Sequence, residues 1–176
     1  MIVIDVGAMH HPPEESTYFL ADYFNPLAVY AFDGLFDKSN EEEYGETWIF
    51  RRAEAAWVHD QGMPYRDRGM CSSVTDEGEK VVPTFDLAEF IDTYRKPNDE
   101  IILKLDCEGA EYVLIPHLIE TGAIHHVSTL LLEVHPPHLA NGWYVPPSER
   151  PALPPELEVG DWNDLTQLPT EAEKVW

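Results

Sequence analysis

Ile101-Ile-Leu-Lys-Leu-Asp-Cys-Glu-Gly-Ala-Glu111 is the stretch on which the reading of this chain turns. It opens as an apolar run, Ile101, Ile102 and Leu103, which suits a strand buried on both faces of a parallel sheet. Within a few residues it becomes acidic, at Asp106, Glu108 and Glu111. Gly109 breaks the run, and Tyr112 to Ile115 resume an apolar pattern compatible with a helix. In open α/β sheets, ligands bind just outside the carboxyl ends of the strands, so a buried strand ending in carboxylates is a common site geometry. Asp106 and Glu108 share a face if the strand persists that far. Taken alone, the composition favours a strand end with solvated charges.

The segments on either side repeat the pattern. Ile2-Val-Ile-Asp-Val-Gly7 reads as a short strand ending at an acid and a glycine. A loop with Pro12 and Pro13 comes next, then a helix start at Glu14 to Thr17 and a helix carrying Tyr18, Phe19, Leu20, Tyr23 and Phe24. Leu27 to Phe32 is a second strand ending at Asp33-Gly34, and Thr47 to Phe50 a third. Between them, Lys38 to Gly45 is acidic and polar and reads as a loop or short helix. His59 to Glu79 reads as a loop or hairpin. Leu87, Phe90, Ile91 and Tyr94 recur at helical spacing behind Asp86, an N-cap with Glu89 three residues on. Val113 to Glu120 is expected to be a helix stopped by Gly122, and Val127 to Val134 another buried strand ending at Glu133 and His135. Strands separated by helices predict a parallel sheet with crossovers.

We divide the chain into an α/β core over residues 1–135 and a proline-rich tail over 136–176. The tail holds eight of the fifteen prolines. Its tryptophans, Trp143, Trp162 and Trp176, predict that it packs on the core. Short strands are expected there at Trp143 to Val145 and Leu157 to Val159.

Composition limits the function. The 176 residues fit one domain with a real core. The net charge of −22 argues against nucleic acid and anionic membranes as partners, since both need clustered Lys and Arg. Arg51-Arg52 and Arg66/Arg68 are the clustered cations, and ion pairing with the many acids accounts for them. Cys71 and Cys107 form no disulfide framework or zinc motif, and Cys107 reads as a small core residue inside the strand. No apolar run reaches transmembrane length and no leader pattern precedes Ile2, so a cytoplasmic location is expected. The His10-His11 and His125-His126 pairs lack metal-site spacing, and the second pair is expected in an exposed loop.

Asp5-Val-Gly-Ala8 after the first strand and Asp33 after the second describe a nucleoside site. A glycine lets a ligand approach the backbone, and an acid at the second strand end can accept the hydroxyls of a ribose. An ordinary strand-to-helix turn fits the same residues. The central stretch adds more. Lys104-Leu-Asp-Cys-Glu-Gly-Ala-Glu111 resembles the K-x-D-x-E-G-x-E signature of the FkbM-type methyltransferases. Leu131-Leu-Glu-Val-His135 is similar to that family's following strand, Asp5 to Ala8 to its opening D-V-G-A-N, and Val29 to Asp33 to its second strand. Ser72-Ser73 sits where the family has a serine-containing segment. The resemblance covers roughly residues 1–135. Met9 replaces the family's asparagine, and His10-His-Pro-Pro13 stands in place of the next glycine.

The resemblance implies a Rossmann-like class I methyltransferase fold with a reduced C-terminal part. It also implies methyl transfer from S-adenosylmethionine to a hydroxyl of a sugar or secondary metabolite, so a small-molecule or glycan acceptor. By that resemblance Asp5, Gly7 and Ala8 line the cofactor's amino-acid end, Asp33 holds the ribose, and Asp106 lies beside the sulfonium. Lys104, Glu108, Glu111, Glu133 and His135 shape the acceptor side. Transfer to oxygen needs a base, for which His135 and Asp106 are candidates. Alternatively the carboxylates Asp106, Glu108 and Glu133 hold a divalent cation. Two rival readings are an inactive methyltransferase-like binding module and a metal-dependent enzyme using Asp106, Glu108, Glu133 and His135. An uncovered sheet edge after the fifth strand would fit a homodimer.

Overall fold

A computed structural model describes residues 1–8, 16–66, 73–75, 77–78, 80–138, 143–162 and 176. In chain order the elements begin β1 (Ile2–Val6), α1 (Ser16–Phe24), β2 (Ala28–Phe32), β3 (Asn40–Tyr44), β4 (Thr47–Arg52) and β5 (Ala55–Trp57). Next come β6 (Met63–Arg66), β7 (Ser73–Val74), β8 (Lys80–Val82), β9 (Thr84–Asp86) and α2 (Leu87–Tyr94). The chain continues with β10 (Ile101–Leu105), α3 (Glu111–Thr121), β11 (Thr129–Leu132) and β12 (Glu158–Asp161). Seven strands form one sheet in the order β12-β11-β10-β1-β2-β4-β3. All neighbours are parallel except β3 and β4.

The period of two along each strand divides the core. Val3, Val29, Ile102 and Leu131 face one side, where they bury Leu20 and Ala21 of α1. Ile4, Phe32, Leu103, Leu130 and Leu132 face the other, against Leu87 and Ile91 of α2 and Leu114 and Leu118 of α3. Asp5 and Lys104 belong to the first set. They are paired neighbours on β1 and β10, and both are fully buried on the α1 face.

Local rules place the helices. Asp86 caps α2 by accepting from the backbone N–H groups of Ala88 and Glu89. Gly122 ends α3 at φ 81°, a conformation a Cβ disfavours. The acids Glu14 and Glu15, read as the start of α1, lie outside the described residues.

Four expectations are corrected. Asn40 to Tyr44 is a strand, not a loop or helix; it pairs antiparallel with β4. Its sequence, Asn-Glu-Glu-Glu-Tyr, has no apolar alternation, because an edge strand needs little burial. Cross-strand ion pairs hold it instead: Arg51 to Glu42 at 2.6 Å and Arg52 to Glu41 at 3.1 Å. Second, β10 ends at Leu105, so Asp106, Cys107 and Glu108 stand in the turn after it. Third, Trp143 to Val145 forms no strand, although β12 does form over Glu158–Asp161. Fourth, β12 pairs with β11, so the edge after the fifth core strand is covered.

Several described residues beyond 135 make contacts with earlier parts of the chain. Trp143 lies 4.9 Å from Trp57, centroid to centroid, and Trp162 sits edge-on to Phe19. The carbonyl oxygen of the buried Trp176 accepts from Arg150 at 2.7 Å. The Arg150 guanidinium also stacks on the Tyr112, Tyr144 and Trp176 rings.

Candidate active site

Three parallel strands, β1, β2 and β10, end at one place, and the turns that leave them build the site. Gly7 turns away from β1 at φ 75°. A Cβ at Gly7 would fall on the Asp106 carbonyl oxygen, so only glycine lets the two turns touch. Asp106 N–H donates to the Val6 carbonyl, and Gly7 N–H to the Phe32 carbonyl, which ties the three strand ends together.

Lys104 is the centre of this junction. Its ammonium is fully buried and donates to the Gly7 carbonyl at 2.8 Å. It lies 3.1 Å from Asp106 Oδ2 and 3.3 Å from Asp5 Oδ1, with the Trp162 ring 5.0 Å away. Burial opposes its charge, but the two carboxylates outweigh that and hold its pKa above the ordinary lysine value. Asp5 Oδ2 accepts from the Ser16 and Thr17 hydroxyls, both at 2.8 Å. Those two residues, absent from the sequence-derived candidates, anchor the start of α1 to β1. Their only signal in sequence is a Ser-Thr pair at a helix start.

Beside the junction lies a narrow cleft with a cavity volume of about 30 Å³. Gly7, Phe32, Asp33, Ala55, Tyr65 and Cys107 are among the residues that line it. Asp33 Oδ1 accepts from Leu35 N–H at 2.8 Å. Burial pushes the Asp33 carboxyl up to about 6, although that hydrogen bond and the Lys104 charge pull the other way. Tyr65, which packs against Gly34, is a wall residue with no signature in sequence.

A second cluster lies on the far side of Asp106. Glu108 takes a left-handed conformation, φ 52°, ahead of Gly109 at φ 100°. A non-glycine residue held there costs on the order of 1–3 kcal/mol, which surrounding contacts must offset. Glu111, fully buried in the first turn of α3, supplies several of them. Its Oε2 accepts from Gly109 N–H at 2.9 Å, and its Oε1 from His135 N–H at 2.8 Å. The same Oε1 lies 3.1 Å from His135 Nδ1. The other ring nitrogen, Nε2, stands 3.5 Å from Glu108 and 3.8 Å from both Asp106 and Glu133. Burial opposes a charge on His135, but hydrogen bonding to Glu108 and Glu111 raises it to about 10. Tyr112 donates to the His135 carbonyl at 2.6 Å and accepts from Arg150 at 3.2 Å, joining the tail to this cluster.

The structure thus gathers Asp33 and Gly7 at one cleft and Asp106, Glu108, Glu133 and His135 at one cluster. Asp5 and Lys104 are buried behind the cleft, and Ala8 is fully buried among Ala31 and Phe36. Glu111 is fully buried and bonded to His135. Cys107 borders the cleft, where burial pushes its thiol well above the ordinary range. His125 is exposed and His126 half-buried, and each lies near a carboxylate, 3.1 Å from Glu156 and 3.4 Å from Asp92. His10, His11, Arg68, Cys71 and Ser72 lie outside the described residues.

No curated protein and no solved structure matches the chain. The sequence model described as "Methyltransferase FkbM domain" matches residues 8–167, well past the end of the core at residue 135. Among the described residues no helix is long and apolar enough to cross a membrane. With strand ends, acidic signature and a match over most of its length in agreement, the chain belongs to the FkbM methyltransferase domain family and carries its class I α/β fold.

Proposed function

We propose that the protein is an S-adenosylmethionine-dependent methyltransferase acting on a hydroxyl of a small-molecule or glycan acceptor. One observation carries the reading: in a chain of this family, Asp33 and Gly7 line a single cleft at the carboxyl ends of β1 and β2, and the Asp106 backbone packs against Gly7. The carboxylate of Asp33 suits a ribose diol, and the apolar walls formed by Phe32, Ala55 and Tyr65 suit an aromatic base. S-adenosylmethionine would supply an electrophilic methyl group. The chain's own residues hold the cofactor, orient the acceptor and take up its hydroxyl proton. We assign that proton to Asp106. His135 is nearly fully buried with Nδ1 and its backbone N–H committed to Glu111, whereas the Asp106 side chain is partly exposed. A chain with a net charge of −22 suits an uncharged or cationic acceptor better than a nucleic acid.

Calorimetric titration with S-adenosylmethionine, and separately with its demethylated product, tests this. Micromolar binding, about −8 kcal/mol, is expected, with loss in Asp33→Ala. Absence of binding to either ligand by folded protein would overturn the reading and favour a binding module that has lost catalysis.

A further inference from the structure

The cluster around His135 has a feature that methyl transfer does not require. Three carboxylates from two separate turns, Asp106 and Glu108 after β10 and Glu133 after β11, converge on one imidazole nitrogen. They stop at 3.5–3.8 Å from Nε2. That spread includes the Glu108 contact, which supports a charge on the ring. The spacing is close to that of adjacent ligands around a divalent ion: with bonds of about 2.1–2.5 Å, neighbours stand about 3.0–3.5 Å apart. Asp106, Glu108 and His135 each offer one ligand atom, and all three atoms lie within 4.8 Å of one another.

The imidazole is independently prepared for such a role. Its Nδ1 is engaged by the buried Glu111, which fixes the ring and points Nε2 at the carboxylates. A carboxylate behind the distal nitrogen is the usual support of a metal-bound histidine. Lys104 engages Asp106 through Oδ2, while Oδ1 faces His135. The side chains of Asp106, Glu108 and Glu133 are 15, 14 and 32% exposed, so a hydrated ion can reach them.

We propose that Asp106, Glu108, Glu133 and His135 form a divalent-cation site, with one nitrogen and carboxylate oxygens as ligands. This donor set suits Mn²⁺ better than Ca²⁺, because imidazole favours first-row transition ions while carboxylates accept either. Binding at Nε2 requires neutral imidazole, so the ion takes the place of the proton. An ion there would hold an acceptor hydroxyl and ease loss of its proton. That role rests on the methyl-transfer reading; the binding itself does not.

The test is titration of the whole chain with Mn²⁺, monitored by loss of the free-ion electron paramagnetic resonance signal, with pulsed measurement of nitrogen coupling on the bound ion. One tightly bound ion per chain with ¹⁴N coupling is expected. Glu108→Gln and Glu133→Gln should each weaken binding at least tenfold, and Glu111→Gln should weaken it by about 10–100-fold. His135→Gln should abolish the nitrogen coupling. Because His135 is buried, the two exposed-side glutamine variants, with melting curves like the parent's, carry the test if that protein does not fold. Absence of tight Mn²⁺ binding would overturn the site. So would bound Mn²⁺ without nitrogen coupling that is indifferent to Glu108→Gln, which marks adventitious surface carboxylates. Titration with S-adenosylmethionine in excess chelator separates the two claims: failure there removes the methyl-transfer reading and leaves the cation site to stand or fall on the Mn²⁺ result.

Discussion

Lys104 Nζ donates to the carbonyl oxygen of Gly7 across 97 residues of sequence, at 2.8 Å. This bond joins the glycine turn after β1 to the strand that delivers Asp106. It makes the cleft and the acidic cluster parts of one buried network. It also places a charge where no water reaches, so its partners are strictly needed.

Lys104→Met should therefore be strongly destabilising. It leaves the fully buried Asp5 without its cation, which costs about 3–5 kcal/mol. At roughly 2–4 °C per kcal/mol for a chain of this size, the melting temperature should fall by about 6–20 °C. Asp5→Asn on the same background should recover part of the loss. A double-mutant cycle in urea checks both, and additive losses would refute the coupling.

Gly7→Ala should abolish cofactor binding. The new methyl group meets the Asp106 carbonyl at a backbone angle that already disfavours it. Calorimetry on the folded fraction is the readout, and parent-like affinity would show that the turn can shift without consequence.

Asp33 gives a pH dependence with a definite sign. Its folded pKa is raised from 3.8 to about 6, so between those values the native state holds a proton that the unfolded chain has lost. The stability tied to this group is fully present below the lower value and is lost as pH rises through the upper one. Asp33→Asn should melt higher than the parent at pH 7, and the gap should close toward pH 4. Cofactor affinity should do the reverse in the parent, strengthening as pH rises through 6, because the ribose hydroxyls donate to the carboxylate. A pH-independent affinity in the parent between 5 and 7 would remove Asp33 from the ribose.

Arg150→Met should loosen the tail. The guanidinium donates to the Val145 and Trp176 carbonyls at 2.8 and 2.7 Å and to the Tyr112 hydroxyl at 3.2 Å. Losing such charge-assisted bonds costs about 2–3 kcal/mol. Faster proteolytic cleavage after His135, with a melting point lowered by several degrees, is the expected outcome. Unchanged cleavage would show that the tail is held by its aromatic contacts alone.

The elements read most directly from sequence were the buried ones. β1, β2, β10 and β11 are short apolar runs because both faces are covered, and the acids that end them are visible as a change of character. The strand β3 was invisible for the opposite reason: it buries little, and glutamates held by ion pairs to Arg51 and Arg52 leave no apolar alternation.

Sequence alone determined the parallel sheet, the capped helices α2 and α3, and the concentration of carboxylates after β10 and β11. It did so because burial and capping leave local patterns in residue type. What each acid does was decided only by tertiary structure. Asp5, Asp33, Asp106, Glu108 and Glu111 are alike as letters. One is locked against Lys104 and two hydroxyls, one borders the cleft with a raised pKa, one is shared between Lys104 and the His135 cluster, one stands in a left-handed turn, and one is buried beneath an imidazole. Those differences come from burial and from partners distant in sequence, such as Gly7 and Lys104 or Glu111 and His135. Chain spacing carries no record of such contacts.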